Sequence, residues 1–359
     1  MGGGFVEGQV VLIAGSPGIG KSTLLTQIAK NMHDKNILYV CGEESPLQIK
    51  LRTERMSYKA ENLILLPETN VDLVVDSIDS LEEKDKPSLI IIDSIQTLYS
   101  DDYSGMAGSV GQVRGSTIRI IDIAKRLGIP AILIGHVTKE GTVAGPMVLE
   151  HMVDTVLYLE GDSNHLFRTL KTAKNRFGPV SEVGIFEMSD TGMSEVTNAS
   201  EYFLSDTENA SGICTTVAME GFRPIMFEIQ ALTIKTSFGF PKRTTSGYST
   251  NRLYVLIATL EKRCGLKLSE YDVYLSISGG YKLSEYSCDL AVCLALASAV
   301  KDIPLKPKTI AFGECDLSGG VRKVPFENIR IKESSKLGYK NIISAKNSKS
   351  LNQAIRLAF

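Results

Sequence analysis

The first 190 residues alternate short apolar runs with stretches whose apolar positions recur at helical spacing. Runs of four to eight apolar residues fit strands buried on both faces, and a period near 3.6 fits amphipathic helices. On that basis strands are predicted at 9–14, 37–41, 62–66, 88–93 and 131–135. Helices are predicted over 21–32, 45–56, 71–81 and 115–127, the first from the spacing of Leu24, Leu25, Ile28 and Ala29. Segments 153–160, 167–174 and 183–188 read as further strands near one edge. Such alternation implies a parallel sheet covered by helices on both faces, an α/β fold.

The pattern breaks over residues 191–212, which are rich in Ser, Asn, Asp, Thr and Glu, a linker signature. The expected organisation is therefore a domain at 1–190, a linker at 191–212 and a second α/β domain at 213–359. In the second domain strands are expected near 213–220, 225–232, 271–278 and 309–312, with helices near 250–264 and 286–300.

Composition changes this picture mainly by exclusion. The 359 residues carry 39 basic and 41 acidic side chains, a net charge of −2, and 43% are hydrophobic, too many for a disordered chain. No apolar run approaches the ~20 residues of a membrane span. The opening Met1-Gly2-Gly3-Gly4 lacks the features of a secretion signal. A cytoplasmic protein with no membrane partner is expected. None of the six cysteines forms a Cys-x-x-Cys pair, so no zinc knuckle is legible, and buried reduced thiols are expected.

The candidate chemistry begins at Gly15-Ser16-Pro17-Gly18-Ile19-Gly20-Lys21-Ser22, which fits G-x-x-x-x-G-K-[ST] between a predicted strand and a predicted helix. Glycines let the loop turn its N–H groups onto phosphate oxygens, and the helix start adds its positive dipole end. With Thr23 behind it, this loop is the expected ATP or ADP site. Lys21 would meet the β- and γ-phosphates and Ser22 would ligate Mg²⁺. Asp93, ending an apolar strand, is the candidate magnesium-side carboxylate. Glu43 or Glu44, after the strand 37–41, can orient or deprotonate water; Glu43 is favoured as the base. His136 follows the strand 131–135 and can sense the γ-phosphate.

Beyond these residues the chain resembles the bacterial RadA (Sms) DNA-repair family. The resemblance rests on Gly2-Gly3-Gly4-Phe5-Val6-Glu7-Gly8, Gly42-Glu43-Glu44-Ser45, Asp93-Ser94-Ile95-Gln96-Thr97 and Gly135-His136-Val137-Thr138-Lys139. Its most specific element is the pentapeptide Lys174-Asn175-Arg176-Phe177-Gly178. The second half is similar to the family's Lon-protease-like domain through Glu220-Gly221-Phe222-Arg223-Pro224, Glu228-Ile229-Gln230-Ala231-Leu232, Ser278-Gly279-Gly280, Asp289-Leu290-Ala291-Val292 and Gly313-Glu314. The resemblance implies a RecA-like P-loop ATPase core. It implies a hexameric ring on single-stranded DNA, a DnaB-type helicase that drives branch migration of recombination intermediates together with RecA. By the same resemblance Lys174 and Arg176 reach the ATP held by the neighbouring subunit.

Two departures from the family pattern stand out. The four-cysteine zinc finger that normally opens the family is absent, so an N-terminal truncation is expected and zinc is expected only in that finger. In the peptidase-like half, the register from Gly279 places Ser287 near the nucleophile position. Asp289 replaces the glycine after it, and Asn328 stands where the lysine base belongs, with Lys332 one turn away. A non-proteolytic scaffold is expected. An ATP-dependent Ser/Lys peptidase and a nucleotide-switched assembly scaffold are the competing functions.

DNA contact is expected from basic residues on loops facing a ring pore. Arg114 lies in a glycine-rich stretch read as a loop over 99–116, and Lys139 in a second loop over 137–150. Lys242 and Arg243, near Arg252, Phe238 and Tyr248, form a basic cluster in the second half. A net charge near zero does not oppose such a motor, because ring symmetry repeats a few basic residues around the pore.

Overall fold

The computed structural model describes residues 3–137, 146–161, 167–196, 198–204, 210–237, 239–283 and 285–359. It divides into two compact units, 1–196 and 197–359.

The first unit is built on β1 (Val10–Gly15), β2 (Ile37–Cys41), β3 (Leu63–Leu66), β4 (Leu89–Asp93), β5 (Ala131–His136), β6 (Thr155–Glu160), β7 (Phe167–Asn175), β8 (Val183–Ser189) and β9 (Gly192–Glu195). They form one sheet in the order β3-β2-β4-β5-β1-β6-β7-β8-β9. From β3 to β6 neighbouring strands are parallel; from β6 to β9 they run as an antiparallel meander. Inside the edge strand β3, the central parallel strands β2, β4, β5 and β1 are buried on both faces, as their unbroken apolar runs require. Val10, Leu12, Ile90, Ile92 and Leu133 face one layer, which holds α3 (Val71–Asp79) and α4 (Val110–Leu127). Val11, Ile13, Tyr39, Ile91 and Ile132 face the other, which holds α1 (Lys21–Asn31) and α2 (Pro46–Arg55).

One difference from the sequence reading concerns Arg114. Helix α4 begins at Val110, so Arg114 is an exposed helical residue, not a loop residue. Gly111 and Gly115 had argued for a loop. A Cβ on Gly115 would come within 2.2 Å of the Tyr103 ring, so this glycine serves close packing. The stretch expected as a linker also carries regular structure. Its first residues supply β9, and α5 (Ala199–Phe203) packs within the second unit, Phe203 lying 4.6 Å from Phe227, ring centre to ring centre.

The second unit has a sheet of β10 (Ile213–Glu220), β11 (Arg223–Lys235), β12 (Arg243–Ser246), β13 (Tyr271–Ile277), β14 (Thr309–Ala311) and a final strand after the pair β15 (Glu314–Cys315) and β16 (Val321–Arg322). That final strand is β17 (Asn341–Ile343), and the sheet order is β12-β13-β11-β10-β14-β17. Its helices are α6 (Thr250–Cys264), α7 (Asp289–Lys301), α8 (Glu327–Lys336) and α9 (Leu351–Ala358). Residues 289–298 of α7 are buried all round, as expected for a helix apolar on every face. Among the described residues, no helix is long and apolar enough to cross a membrane.

Candidate functional site

The parallel strands end on one edge of the first sheet, the edge where open α/β sheets bind ligands. Register places Gly15 beside His136 and Cys41 beside Asp93 on that edge. Gly15 has no room for a side chain, since a Cβ would sit 2.5 Å from the Leu159 carbonyl oxygen. Gly20, at φ +112°, turns the loop into α1. The resulting phosphate loop carries all the residues expected for nucleotide, Gly15, Ser16, Pro17, Gly18, Ile19, Gly20, Lys21, Ser22 and Thr23, ahead of or in the first turn of α1.

Lys21 is 4% exposed and donates to the carbonyl oxygens of Gly15 and Ser16, each at 2.9 Å. Burial lowers its pKa to about 8, against the opposing pull of Glu43 and Asp93. Its Nζ also lies 3.1 Å from His136 Nδ1, and His136 Nε2 lies 2.7 Å from Glu43 Oε2. An ammonium can only donate, so Nδ1 is the acceptor and the ring proton sits on Nε2, pointing at Glu43. Lys21, His136 and Glu43 thus form one hydrogen-bonded chain across three strand ends. Glu44 is turned away into an ion pair with Arg52 of α2, which separates the two candidate bases.

Asp93 is 2% exposed and accepts a hydrogen bond on Oδ2 from the phenol of Tyr39. Its other oxygen has no hydrogen-bond partner among the described residues. The Asp93 carbonyl receives the N–H groups of Gly42 at 2.8 Å and Glu43 at 3.1 Å, pinning the β2 end to the β4 end. Gly42 is required there, because a Cβ would fall 2.0 Å from Thr97 Oγ1. A hydroxyl in the first turn of α1 and a carboxylate with an unshared oxygen suit Mg²⁺. That ion takes few protein oxygens and completes its shell with water and phosphate. Among the described residues no cluster of three His, Cys, Asp or Glu could hold a metal by itself.

Lys174 and Arg176 lie elsewhere. Register carries Leu12 to Val156 and Val156 to Lys174, so the pentapeptide starts three positions back from Gly15, ~10 Å toward the opposite edge of the sheet. The pairing of β6 with β7 slips beside Lys174, a bulge of the kind that re-aims a side chain. Lys174 Nζ donates to the carbonyls of Glu150 at 2.7 Å and Val153 at 2.8 Å, and burial lowers its pKa. Arg176 Nη1 bonds Asp154 Oδ1 at 2.9 Å while its side chain stays half-exposed.

Two site residues escaped the sequence reading. Tyr39 read as one more apolar strand residue. Arg168, at the opposite end of β7 from Lys174, is buried and its Nε donates to the Ile19 carbonyl of the phosphate loop at 3.3 Å. No local signal marks either, because the partner of each is 54 or more positions away in the chain.

The remaining candidates fall on surfaces and in the second unit. Lys139 lies outside the described residues. Lys242 is exposed on the approach to β12. The Arg243 guanidinium donates to the carbonyls of Lys242, Leu268 and Tyr271, holding β12 to the turn before β13. Arg252, expected near the basic cluster, is paired with the fully buried Asp289, which also accepts from the Tyr248 hydroxyl at 2.7 Å. Ser287 is buried, and its Oγ receives a hydrogen bond from Arg330 Nη1 at 3.1 Å. Arg330 is itself ion-paired with Glu285 at 2.8 Å. Asn328 accepts from Lys346 on the outer face of α8, and Lys332 is exposed.

Comparison with known proteins bears on this arrangement. A family model described as an AAA domain matches residues 1–142. A curated DNA repair protein RadA from Bacillus subtilis (strain 168) is 47% identical over 346 residues, 96% of this chain and 75% of that protein. One from Brucella abortus (strain 2308) is 48% identical over 343 residues, 94% of this chain and 73% of that protein. Among solved structures, that of a RadB recombinase is similar at a TM-score of 0.43 and 23% identity, over 54% of this chain and 94% of that one.

Proposed function

Because the chain belongs to the RadA family of DNA repair proteins, we propose that it is a DNA-dependent ATPase of recombination and repair. In this reading it works as a hexameric DnaB-type ring, a helicase that moves branch points on single-stranded DNA alongside RecA. The observation that carries the reading is the chain Lys21–His136–Glu43 beside Asp93, four groups from four strand ends on one edge.

Each group has a role in phosphoryl transfer. The loop from Gly15 to Gly20 presents backbone N–H groups to the phosphates, and Lys21 leaves its carbonyl partners to meet the β- and γ-phosphates. Glu43 orients the attacking water and takes its proton. His136 holds Glu43 through Nε2–H while Lys21 occupies Nδ1, so a phosphate that draws Lys21 away changes the hold on the base. Ser22 and, through water, Asp93 would hold Mg²⁺, which would supply neutralisation of charge on the phosphate oxygens. Lys174 and Arg176 are too far from their own phosphate loop to serve it. They are proposed to act on the nucleotide of the adjacent subunit, where such a finger contributes ~10³–10⁵ in rate. Arg114, Lys139, Lys242 and Arg243 are the proposed DNA contacts, and the first and third are exposed.

The 197–359 unit is proposed as a Lon-protease-like scaffold without peptidase activity. Arg330 supports this, since a guanidinium donates to Ser287 Oγ and cannot act as its base. Hydrolysis of ATP with and without single-stranded DNA tests the main reading. DNA should stimulate it and Lys21→Ala should abolish it; a Lys21→Ala protein that hydrolyses ATP at the parent rate overturns it.

A further inference from the structure

We propose that Tyr39 is a positioning residue for the metal: its phenol fixes the Asp93 carboxylate so that the free oxygen faces the ion shared with the phosphates. The inference rests on the nucleotide-site reading above and adds to it a residue that touches neither nucleotide nor metal.

The argument starts from placement. Tyr39 is wholly buried in the middle of β2, and Ile91 is its neighbour across the β2–β4 pairing. Asp93 is two residues beyond Ile91, hence on the same face of the sheet, the face that also packs α1 with Ser22 at its start. The tyrosine hydroxyl reaches along the strand to Oδ2. A phenylalanine would fill the same apolar volume among Leu25, Ile49 and Ile91, so packing alone does not demand the hydroxyl.

A carboxylate on a strand end can swing about its side-chain torsions. An ion that tolerates only near-octahedral geometry gains from having that swing removed beforehand. The phenol does this through its hydrogen bond to Oδ2. With one oxygen committed, the other is left for the ion or its water. Removing the hydroxyl frees the carboxylate to swing, and metal binding weakens.

The test uses the full chain, wild type and Tyr39→Phe, with a fluorescent ADP as probe and Mg²⁺ as the titrant. The half-saturating Mg²⁺ concentration for nucleotide binding should rise about tenfold or more in the variant. Nucleotide binding in EDTA should stay close to wild type. An unchanged Mg²⁺ dependence overturns the proposal. A double-mutant cycle with Asp93→Asn gives a second reading: Tyr39→Phe should add little once Asp93 is gone, and fully additive losses overturn the proposal. Wild type with no Mg²⁺-dependent nucleotide binding would instead defeat the nucleotide-site reading on which it stands.

Discussion

Lys21, the proposed phosphate ligand, is buried, and loss of water lowers its pKa to about 8. Phosphate oxygens favour the charged form, so binding raises that pKa. Above pH 8 the free protein has largely lost the proton that the complex retains. Nucleotide binding at pH 8.5 should therefore take up a proton, and affinity should fall as pH rises from 8 to 10. Calorimetry in two buffers of different ionisation enthalpy measures the uptake; none detected would remove Lys21 from the phosphates. The sign for stability follows: a lysine whose pKa is lowered on folding makes the nucleotide-free protein more stable as pH rises from about 8 to 10.5. The two glutamates separate by variant. Glu43→Gln should cut hydrolysis ~10²-fold or more while still binding nucleotide. Glu44→Gln should lose only the ion pair with Arg52, about 1 kcal/mol or less. At this scale the phosphate loop was legible because glycine, lysine and serine sit in one octapeptide. Tyr39 and Arg168 were not, since a single hydrogen bond to a distant segment distinguishes each from an ordinary core or strand residue.

Helix α4 shows what limits legibility at the scale of elements. Its period is clear after Gly115, and its first turns are hidden by two glycines that weaken helix propensity. Packing decides against propensity here, because the Tyr103 ring leaves no room for a side chain at Gly115. Gly115→Ala should cost ~1–3 kcal/mol, as overpacking does, and urea unfolding would read it. Wild-type stability in that variant would mean that the Tyr103 contact is slack. The strands of the parallel sheet were readable because burial on both faces leaves continuous apolar runs. Strand β9 and helix α5 were not, since short elements in a polar stretch carry too few periods. In the second unit Asp289 replaces an expected glycine and joins Arg252, Tyr248 and the Cys315 N–H. Asp289→Ala should destabilise that unit by ~3–5 kcal/mol, because it strands the guanidinium of Arg252. A loss under 1 kcal/mol on unfolding would show that Arg252 finds water instead.

For the whole molecule, the break in pattern predicts a linker at 191–212, and the compact units of the structure are 1–196 and 197–359. If Lys174 and Arg176 serve a neighbour's nucleotide, the two halves of one active site come from different chains. Lys21→Ala and Arg176→Ala should each be inactive alone, and mixtures should recover part of the DNA-stimulated hydrolysis. Absence of any recovery across mixing ratios would mean that both groups act in one chain. Hydrophobic period and charge balance carry no signal for assembly; the proposal of a second copy rests on one pentapeptide.

Strand β7 holds the phosphate loop of its own subunit at one end, through Arg168 and Ile19, and ends at Lys174 and Asn175 on the other. The six residue steps from Arg168 to Lys174 span ~20 Å of extended backbone, hydrogen-bonded along part of its length to β6 and β8. A pleated strand clamped on both sides hardly stretches, so a shift at Ile19 displaces it as one piece. In a ring, that makes β7 a push-rod: filling or emptying one pocket would move the finger offered to the next. Timing between neighbouring subunits would then be mechanical, passed along a single strand and needing no moving domain.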